Sequence, residues 1–155
     1  VFFQIAAPLL LLASGFCDAL DGVLARLYET STVFGGFLDS LLDRYADAVV
    51  LVGIMVGGLL RDSFWGVLAV IGSIMVSYSR ARAEAAGVKM ETVGLAERAE
   101  RIIILAFASF LNLFWIDGLF WGVIVLALLT NLTVLQRVFH FKDMASKKKE
   151  TVGVV

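Results

Sequence analysis

Five long apolar segments, separated by short polar stretches, set the main constraint on how this chain can fold. Hydrophobic residues make up 60% of its 155 residues, whereas soluble domains average roughly 45–50%. A membrane-spanning helix needs about 20 consecutive apolar residues, and helices satisfy their own backbone hydrogen bonds in lipid. We therefore predict an all-α, polytopic transmembrane helix bundle with spanning helices at residues 1–26, 35–60, 64–83, 98–115 and 119–139.

The polar stretches divide the chain into a membrane domain and a short tail. We see neither an internal repeat nor a separate soluble domain in the sequence, so residues 1–141 are predicted to form one transmembrane domain. Residues 142–155 are rich in lysine and are predicted to form a polar, mobile cytoplasmic tail. The apolar run at Val1 lacks the basic start and the cleavage site of a signal peptide.

The positive charges are distributed unevenly between the two ends of the predicted helices. Twelve of the thirteen Lys and Arg residues fall at the end that carries the C-terminal tail, and Arg61 falls at the other end. Cytoplasmic segments of membrane proteins carry such an excess. We therefore predict a multi-pass protein of the cell membrane whose charged end faces the cytoplasm. The net charge of −1 gives no reason to expect a nucleic-acid partner.

Four aspartates lie at the predicted cytoplasmic end of the first two helices. Asp18 and Asp21 are three residues apart, and Asp39 and Asp43 are four apart, so each pair shares a helix face. Carboxylates beside apolar sequence repel one another and resist burial unless a cation neutralises them. Oxygen ligands suit hard ions such as Mg²⁺, Mn²⁺ or Ca²⁺. Because four carboxylates exceed the needs of one ion, we predict two divalent ions, an arrangement that serves phosphoryl chemistry.

The same aspartates belong to a longer pattern of fixed spacing. The pattern D-x2-D-G-x2-A-R-x8-G-x3-D-x3-D resembles the signature of the CDP-alcohol phosphotransferase family. Every fixed position is present, namely Asp18, Asp21, Gly22, Ala25, Arg26, Gly35, Asp39 and Asp43. The resemblance implies a CDP-alcohol phosphatidyltransferase, an enzyme that transfers a substituted phosphate group from a CDP-linked lipid to an acceptor hydroxyl and releases CMP. It also implies a homodimer, and a further helix before the first one seen here, so we interpret the chain as a fragment or a processed form.

The resemblance also assigns roles within this pattern. It implies that the four aspartates bind Mg²⁺ or Mn²⁺ and that Asp43 takes the proton from the attacking hydroxyl. It implies CDP binding by Asp18, Asp21, Gly22, Ala25, Arg26 and Gly35. Small residues let a nucleotide approach the helix, and Arg26 can grip a diphosphate through two hydrogen bonds. Asp47, one turn after Asp43, is expected to bond a neighbouring helix rather than to act in catalysis.

Arginines at the cytoplasmic ends of the later helices form a second group. Two explanations fit such arginines. Cationic side chains at the ends of membrane helices extend toward water, and arginines that converge above the carboxylates would form a phosphate-sized anion pocket. This part of the sequence resembles the branch of the family that uses inositol 1-phosphate, the phosphatidylinositol-phosphate and archaetidylinositol-phosphate synthases. The resemblance implies that the acceptor phosphate is bound by Arg80, Arg82, Arg98 or Arg101, and Arg137.

Alternatives for the substrates and for the function class stay open at this point. The donor is CDP-diacylglycerol or, in an archaeon, CDP-archaeol, and inositol 1-phosphate is the favoured acceptor. A phosphatidylglycerol-phosphate-type synthase, which uses glycerol 3-phosphate, and a CDP-inositol-dependent transferase are the alternatives. An ion transporter built on intramembrane carboxylates is a hypothesis of another class, but residues 49–60 and 122–129 carry no charge that would continue a path across the membrane.

Glycines in the second and third predicted helices favour close helix packing. Gly53 and Gly57 form a GxxxG motif, and Gly58, Gly66 and Gly72 add further small surfaces. This pattern fits packing within one chain and the seam of a homodimer equally well.

Overall fold

Five α-helices form the protein in a computed structural model that describes residues 2–28, 32–90 and 93–152. The side chains at 2–4, 25–26 and 148–152 lie outside the described part. No strand occurs within these ranges. The helices are α1 (Phe2–Leu27), α2 (Val33–Val56), α3 (Ser63–Ala85), α4 (Arg98–Leu111) and α5 (Gly118–Val152).

Three helical segments of the described chain are long and apolar enough to cross a membrane, namely Ile5–Leu24, Ser63–Ala85 and Gly118–Lys147. The prediction of an all-α membrane helix bundle is therefore confirmed. The other two helices of the predicted five do not meet this requirement of length and composition. The α2 helix carries four charged residues. The α4 helix has 14 residues, about 21 Å at 1.5 Å per residue, against a hydrocarbon core of about 30 Å.

Helix ends differ from the sequence prediction where the local backbone or a capping side chain ends the helix early. The α2 helix stops before residue 60 because Gly58 adopts a left-handed backbone, with φ of 67°. The α4 helix ends at Leu111 rather than at residue 115. There the side-chain oxygen of Asn112 accepts a hydrogen bond of 3.3 Å from the backbone N–H of Leu119, which holds the turn into α5.

The α5 helix continues past the predicted end at residue 139 and includes most of the predicted tail. Lysine, alanine, methionine and glutamate favour helix, and Asp143 and Lys147 form an ion pair of 2.9 Å one turn apart. The chain is therefore helical as far as Val152, where a mobile tail was expected. With 35 residues the helix is about 50 Å long, so it extends beyond a hydrocarbon core of about 30 Å.

The order of helix packing places α5 at the centre of the bundle. It packs against both α3 and α4, while α2 packs against α3 and α1 packs against α4. The contacts thus run in the order α1, α4, α5, α3, α2, which is not the order of the sequence. The first two helices lie at opposite ends of this series, yet the bundle closes at one end so that their aspartates meet.

Small and branched apolar side chains fill the core where the helices meet. The buried residues of this core are Leu51, Ile54, Ala69, Leu105, Ala108, Leu119, Val123, Leu126 and Ala127. Two glycines allow close approach, because a Cβ atom on Gly72 would collide with the side chain of Thr130, and one on Gly66 with that of Met55. A Cβ atom on Gly53 would meet open space. Gly66 and Gly72 therefore serve packing within the chain, and Gly53 does not.

An ion pair joins the two tight turns at the end of the bundle opposite the aspartates. Arg61, in the turn between α2 and α3, lies 2.6 Å from Asp117 in the turn between α4 and α5. Next to it, Asp62 caps α3 by accepting a 2.9 Å hydrogen bond from the backbone N–H of Phe64. Arg61 thus lies in a turn at the opposite end of the bundle from the aspartates.

We expect Gly72→Ala to lower the free energy of unfolding by about 1–3 kcal/mol, because the added methyl group would overpack the contact with Thr130. The matched variant Gly53→Ala places its methyl group in open space. It should be neutral or stabilising by up to about 1 kcal/mol through helix propensity. Thermal unfolding in detergent micelles would measure both changes. Equal losses of stability in the two variants would contradict the close approach at Gly72.

Candidate active site

A cavity of about 590 Å³ opens at the polar end of the bundle, between charged side chains of all five helices. Carboxylates from α1 and α2 face arginines from α3, α4 and α5 across it. The charged residues of its wall are Asp18, Asp39, Asp43, Arg44, Arg80, Glu84, Glu97, Arg98, Arg101 and Arg137. The fold thus brings the aspartate pattern and the distant arginine group of the sequence into one space.

Three carboxylates converge on one side of this cavity. Asp18, Asp39 and Asp43 each offer an oxygen atom, and these atoms lie within 4.8 Å of one another. The α1 helix supplies Asp18, and α2 supplies the other two from positions one turn apart. A single cation could therefore contact all three side chains, and an all-oxygen set of ligands suits Mg²⁺ or Mn²⁺. Three of the four predicted metal ligands are thus brought together.

The remaining residues predicted to bind metal or CDP on α1 lie away from this convergence. Asp21 is exposed one turn further along the helix and is not part of the group of three. Neither Asp21 nor Gly22 is among the described residues that line the cavity. The side chains of Ala25 and Arg26 lie outside the described residues, so their predicted contacts with CDP stay predictions.

Gly35 has a local structural role at the start of α2. Its backbone N–H donates a 3.0 Å hydrogen bond to the hydroxyl oxygen of Thr32, the N-cap residue of the helix. A Cβ atom at position 35 would lie 2.9 Å from that hydroxyl, which is too close for an ordinary contact. A small residue at this position is therefore explained by helix capping, and Gly35 does not line the described part of the cavity wall.

Arg98, the first residue of α4, contacts two of the three converging carboxylates. Its Nη1 atom forms an ion pair with Asp18 and lies 2.8 Å from Oδ1 of Asp43. Its Nε atom lies 3.9 Å from Asp47. One guanidinium group on α4 therefore holds carboxylates from both α1 and α2, which explains why these helices approach each other at the polar end.

Arg101, one turn after Arg98 on α4, is fixed by a buried ion pair. Its Nη2 atom lies 2.9 Å from Oδ2 of Asp47, and its Nη1 atom donates a 2.9 Å hydrogen bond to the backbone carbonyl of Ser73. Only 5% of Arg101 is exposed. Asp47 therefore bonds a neighbouring helix, which agrees with its expected structural role, and it sets the position of an arginine in the cavity wall.

Arg137 is the most deeply buried of the described arginines, at 2% exposure. Its Nε atom donates a 2.8 Å hydrogen bond to the backbone carbonyl of Val93, and its Nη1 atom donates to that of Val76. Its Nη2 atom lies 3.3 Å from Oε1 of Glu97. The side chain thus connects α5 with α3 and with the segment that leads into α4, in addition to lining the cavity.

Thr133 is a residue of this region that the sequence analysis missed. Its hydroxyl oxygen accepts 3.1 Å hydrogen bonds from the backbone N–H groups of Leu95 and Ala96. It lies on α5 one turn before Arg137, and it is completely buried. A threonine four residues before an arginine within an apolar helix is a sequence signal, because buried polar groups need hydrogen-bond partners. Together the two side chains hold the start of α4 in place.

Arg80 and Arg82 on α3 were predicted as a pair, but they occupy different environments. Arg80 lines the cavity, with its Nε atom 2.9 Å from Glu84 and its Nη1 atom 4.0 Å from Glu97. Arg82 is exposed and is not among the described residues of the cavity wall. Two helical positions differ in direction by about 200°, so both side chains cannot face the same cavity. Four of the five predicted arginines therefore line it.

We expect Asp47→Asn to lower the free energy of unfolding by about 3 kcal/mol, because it leaves the charge of Arg101 buried without its ion-pair partner. The control is Asp143→Asn, which breaks the pair with Lys147 between side chains that are 63% and 67% exposed. That change should cost less than about 1 kcal/mol. Chemical unfolding in detergent micelles would compare the two variants, and similar losses would contradict the buried pairing of Asp47.

Known relatives identify the family to which this arrangement belongs. Residues 3–140 match the family model described as CDP-alcohol phosphatidyltransferase. The chain is 50% identical over 141 residues to an archaetidylinositol phosphate synthase of Pyrococcus horikoshii, covering 90% of this chain and 71% of that protein. It is 46% identical over 140 residues to a protein of the same name from Methanothermobacter thermautotrophicus, covering 88% and 69%.

Solved structures agree with this assignment. A phosphatidylinositol phosphate synthase of Mycobacterium tuberculosis, in complex with manganese and citrate, superimposes with a TM-score of 0.72 at 29% identity, over 89% of this chain and 76% of that one. The same enzyme with CDP-DAG bound gives 0.69 at 28% identity, over 89% and 80%. The family resemblance seen in the aspartate pattern is thereby confirmed: the chain belongs to the CDP-alcohol phosphatidyltransferase family and is a transferase.

Proposed function

We propose that this protein transfers the phosphatidyl-type group of a CDP-linked lipid to a hydroxyl of inositol 1-phosphate and releases CMP. The observation that carries the proposal is the single cavity in which three converging carboxylates face four arginines. The names of the archaeal relatives support inositol phosphate as the acceptor. Family membership removes the reason to regard the aspartates as an ion-transport path, because transferase chemistry accounts for them.

The donor in this proposal is CDP-archaeol or CDP-diacylglycerol. A second cavity of about 250 Å³ lies between α1 and α4 and shares Asp18 and Arg98 with the first. The rest of its wall is apolar and includes Leu12, Phe16 and Ile103. It could take up part of a lipid chain beside the carboxylates, where the diphosphate would lie. The cytidine end would be held on the α1 side by Asp21, Gly22 and Arg26, as the family pattern implies.

Asp18, Asp39 and Asp43, together with Asp21, are proposed to hold two divalent ions, either Mg²⁺ or Mn²⁺. The three converging side chains fit such ions because they offer only oxygen ligands, and two of them, Asp18 and Asp43, already contact a cation, the guanidinium group of Arg98. The manganese complex of the mycobacterial enzyme supports the choice of ion. When bound, the ions neutralise negative charge on the diphosphate and on the departing CMP.

The remaining roles in the reaction, acceptance of a proton and binding of the acceptor phosphate, fall to side chains on the two sides of the cavity. Asp43 belongs to the three converging carboxylates and also contacts Arg98 on the arginine side, so it is the aspartate proposed to accept the proton of the attacking hydroxyl. Arg80 and Arg98 are held by carboxylates and can exchange these contacts for the acceptor phosphate. Arg101 and Arg137, which donate to backbone carbonyls, supply fixed positive charge. The hydroxyl then attacks the phosphorus distal to cytidine, and CMP leaves with the electron pair of the broken bond.

The cavity is proposed to face the cytoplasm in a multi-pass protein of the cell membrane. Twelve of the thirteen Lys and Arg residues lie at its end of the chain by sequence, and Arg61 lies at the other end in its pair with Asp117. We also propose a homodimer, as the family resemblance implies. The open space at Gly53, on the GxxxG face of α2, is compatible with a second copy.

The reaction is tested by CMP release from a CDP-lipid with a panel of acceptors. Asp18→Asn, Asp21→Asn, Asp39→Asn and Asp43→Asn should each abolish CMP formation, because the carboxylates would no longer hold the ions. A chelator should do the same, and Mg²⁺ or Mn²⁺ should restore activity. The matched control Asp62→Asn, at the opposite end of the bundle, should retain activity because asparagine also caps helices.

Two outcomes of that assay would contradict the proposal. Full activity in the presence of a chelator would exclude the divalent ions. CMP release with glycerol 3-phosphate but not with inositol 1-phosphate would exclude the proposed acceptor while leaving the reaction class intact.

The acceptor site is tested by comparing Arg80→Ala with Arg82→Ala, two neighbours on α3 of which only Arg80 lines the described cavity. Loss of a charge-assisted contact to phosphate costs roughly 1.5–3 kcal/mol, which is about a 10- to 150-fold loss of affinity. We expect the KM for inositol 1-phosphate to rise by a factor of about 10 to 150 with Arg80→Ala. With Arg82→Ala it should hardly change. The KM for the CDP-lipid should change little in either variant. Equal effects at both positions would place the phosphate elsewhere.

A further inference from the structure

Arg98 contacts the converging aspartates and also belongs to the arginine wall of the cavity. It forms ion pairs with Asp18 and Asp43, and its Nε atom lies 3.9 Å from Asp47. Arg101, on the same helix, is instead fixed by Asp47 and by a backbone carbonyl. Of these two arginines, Arg98 is the one whose partners are the proposed metal ligands.

Arg98 and a divalent ion compete for the same carboxylates. The guanidinium group contacts Oδ2 of Asp18 and Oδ1 of Asp43, and these two side chains are also among the three that converge as candidate ligands of an ion. Two cations at such short range repel each other strongly in a partly buried site. Binding of an ion therefore requires Arg98 to leave at least one of its two aspartates.

The other described carboxylates near Arg98 already have a partner or belong to the proposed ion site. Glu84 is paired with Arg80, and Asp39 is one of the three converging aspartates. Asp47 is already paired with Arg101 at 2.9 Å, and Glu97 lies beside both Arg80 and Arg137. The displaced side chain would add positive charge to a wall that already holds four other arginines. An anion on that side of the cavity would compensate this charge.

We propose that Arg98 exchanges between two positions, paired with Asp18 and Asp43 without divalent ions and bound to the phosphate of the acceptor with them. This inference rests on the proposed function and deepens it. Ion binding makes Arg98 available to the acceptor, and acceptor binding withdraws it from the aspartates. Because coupling between two ligands is reciprocal, each should strengthen the binding of the other. The site therefore binds the acceptor most tightly when the ions are in place.

The test is Mn²⁺ binding to the purified chain in detergent without a CDP-lipid, measured by electron paramagnetic resonance of free Mn²⁺. Arg98→Gln removes the competing charge and should bind Mn²⁺ more tightly, on the order of tenfold, within the usual range of coupling between sites. The matched control Arg80→Gln removes the same charge from the same cavity wall without a described contact to the three aspartates. Its Mn²⁺ affinity should stay much closer to that of the parent.

A second titration measures the coupling itself, with inositol 1-phosphate as the probe. In the parent, saturating inositol 1-phosphate should tighten Mn²⁺ binding severalfold, and in Arg98→Gln this effect should disappear. Mn²⁺ binding in Arg98→Gln that is equal to or weaker than in the parent would overturn the inference, and so would the absence of any effect of inositol 1-phosphate in the parent. Either result leaves the proposed function intact if CMP release still depends on the metal and on the aspartates.

If Arg98→Gln does not fold, a second variant at the same position still tests the inference. Arg98→Lys keeps a positive charge but loses the planar fork that lets one side chain bridge two carboxylates. It should therefore bind Mn²⁺ more tightly than the parent does, and equal or weaker binding would also overturn the inference. A parent chain that binds no Mn²⁺ at all would contradict both the inference and the metal-dependent function.

Discussion

Pairing of opposite charges across the polar end of the bundle is the interaction on which the site depends. Charges in a partly buried, low-dielectric space are costly unless a partner of opposite sign lies close by. The contacts of Arg98 with Asp18 and Asp43, and of Arg101 with Asp47, meet this requirement through residues of α1, α2 and α4. The same pairing closes the bundle, because the first two helices lie at opposite ends of the series of helix contacts.

The position of α4 therefore determines where Arg98 and Arg101 lie, and contacts with α5 fix that position. Thr133 and Arg137 bond the backbone of the segment before α4, while the apolar core fixes the other end of that helix. The hydrogen bonds of Arg137 serve structure as well as charge, so replacing it would disturb both the fold and the cavity. Arg80 is paired with the exposed side chains of Glu84 and Glu97. Replacing Arg80 would therefore test the contribution of positive charge to the cavity with less disturbance of the fold.

The sequence was sufficient to predict the helix bundle and the shared face of Asp39 and Asp43, because hydropathy and helical spacing act locally. The approach of Asp18, on another helix, was predicted from the need of grouped carboxylates for a cation and from the family resemblance. Helical spacing also separates Arg80 from Arg82, although the sequence analysis grouped them. The partners of Asp47 and Thr133 lie on other helices, so they depend on packing order, which local spacing does not contain. The length of α5 was underestimated because its polar end was judged by hydropathy, whereas helix propensity and the pairing of Asp143 with Lys147 continue the helix.

The shared wall between the two cavities has a consequence for how molecules enter and leave the site. Asp18 and Arg98 border both the charged cavity and the apolar cavity between α1 and α4. A molecule with an apolar part and a highly charged part could therefore be bound with each part in the cavity of matching polarity. Its apolar part could then stay out of water, and a water-soluble product released from it could leave through the charged cavity. The lipid-like part could then arrive and leave by lateral diffusion within the bilayer.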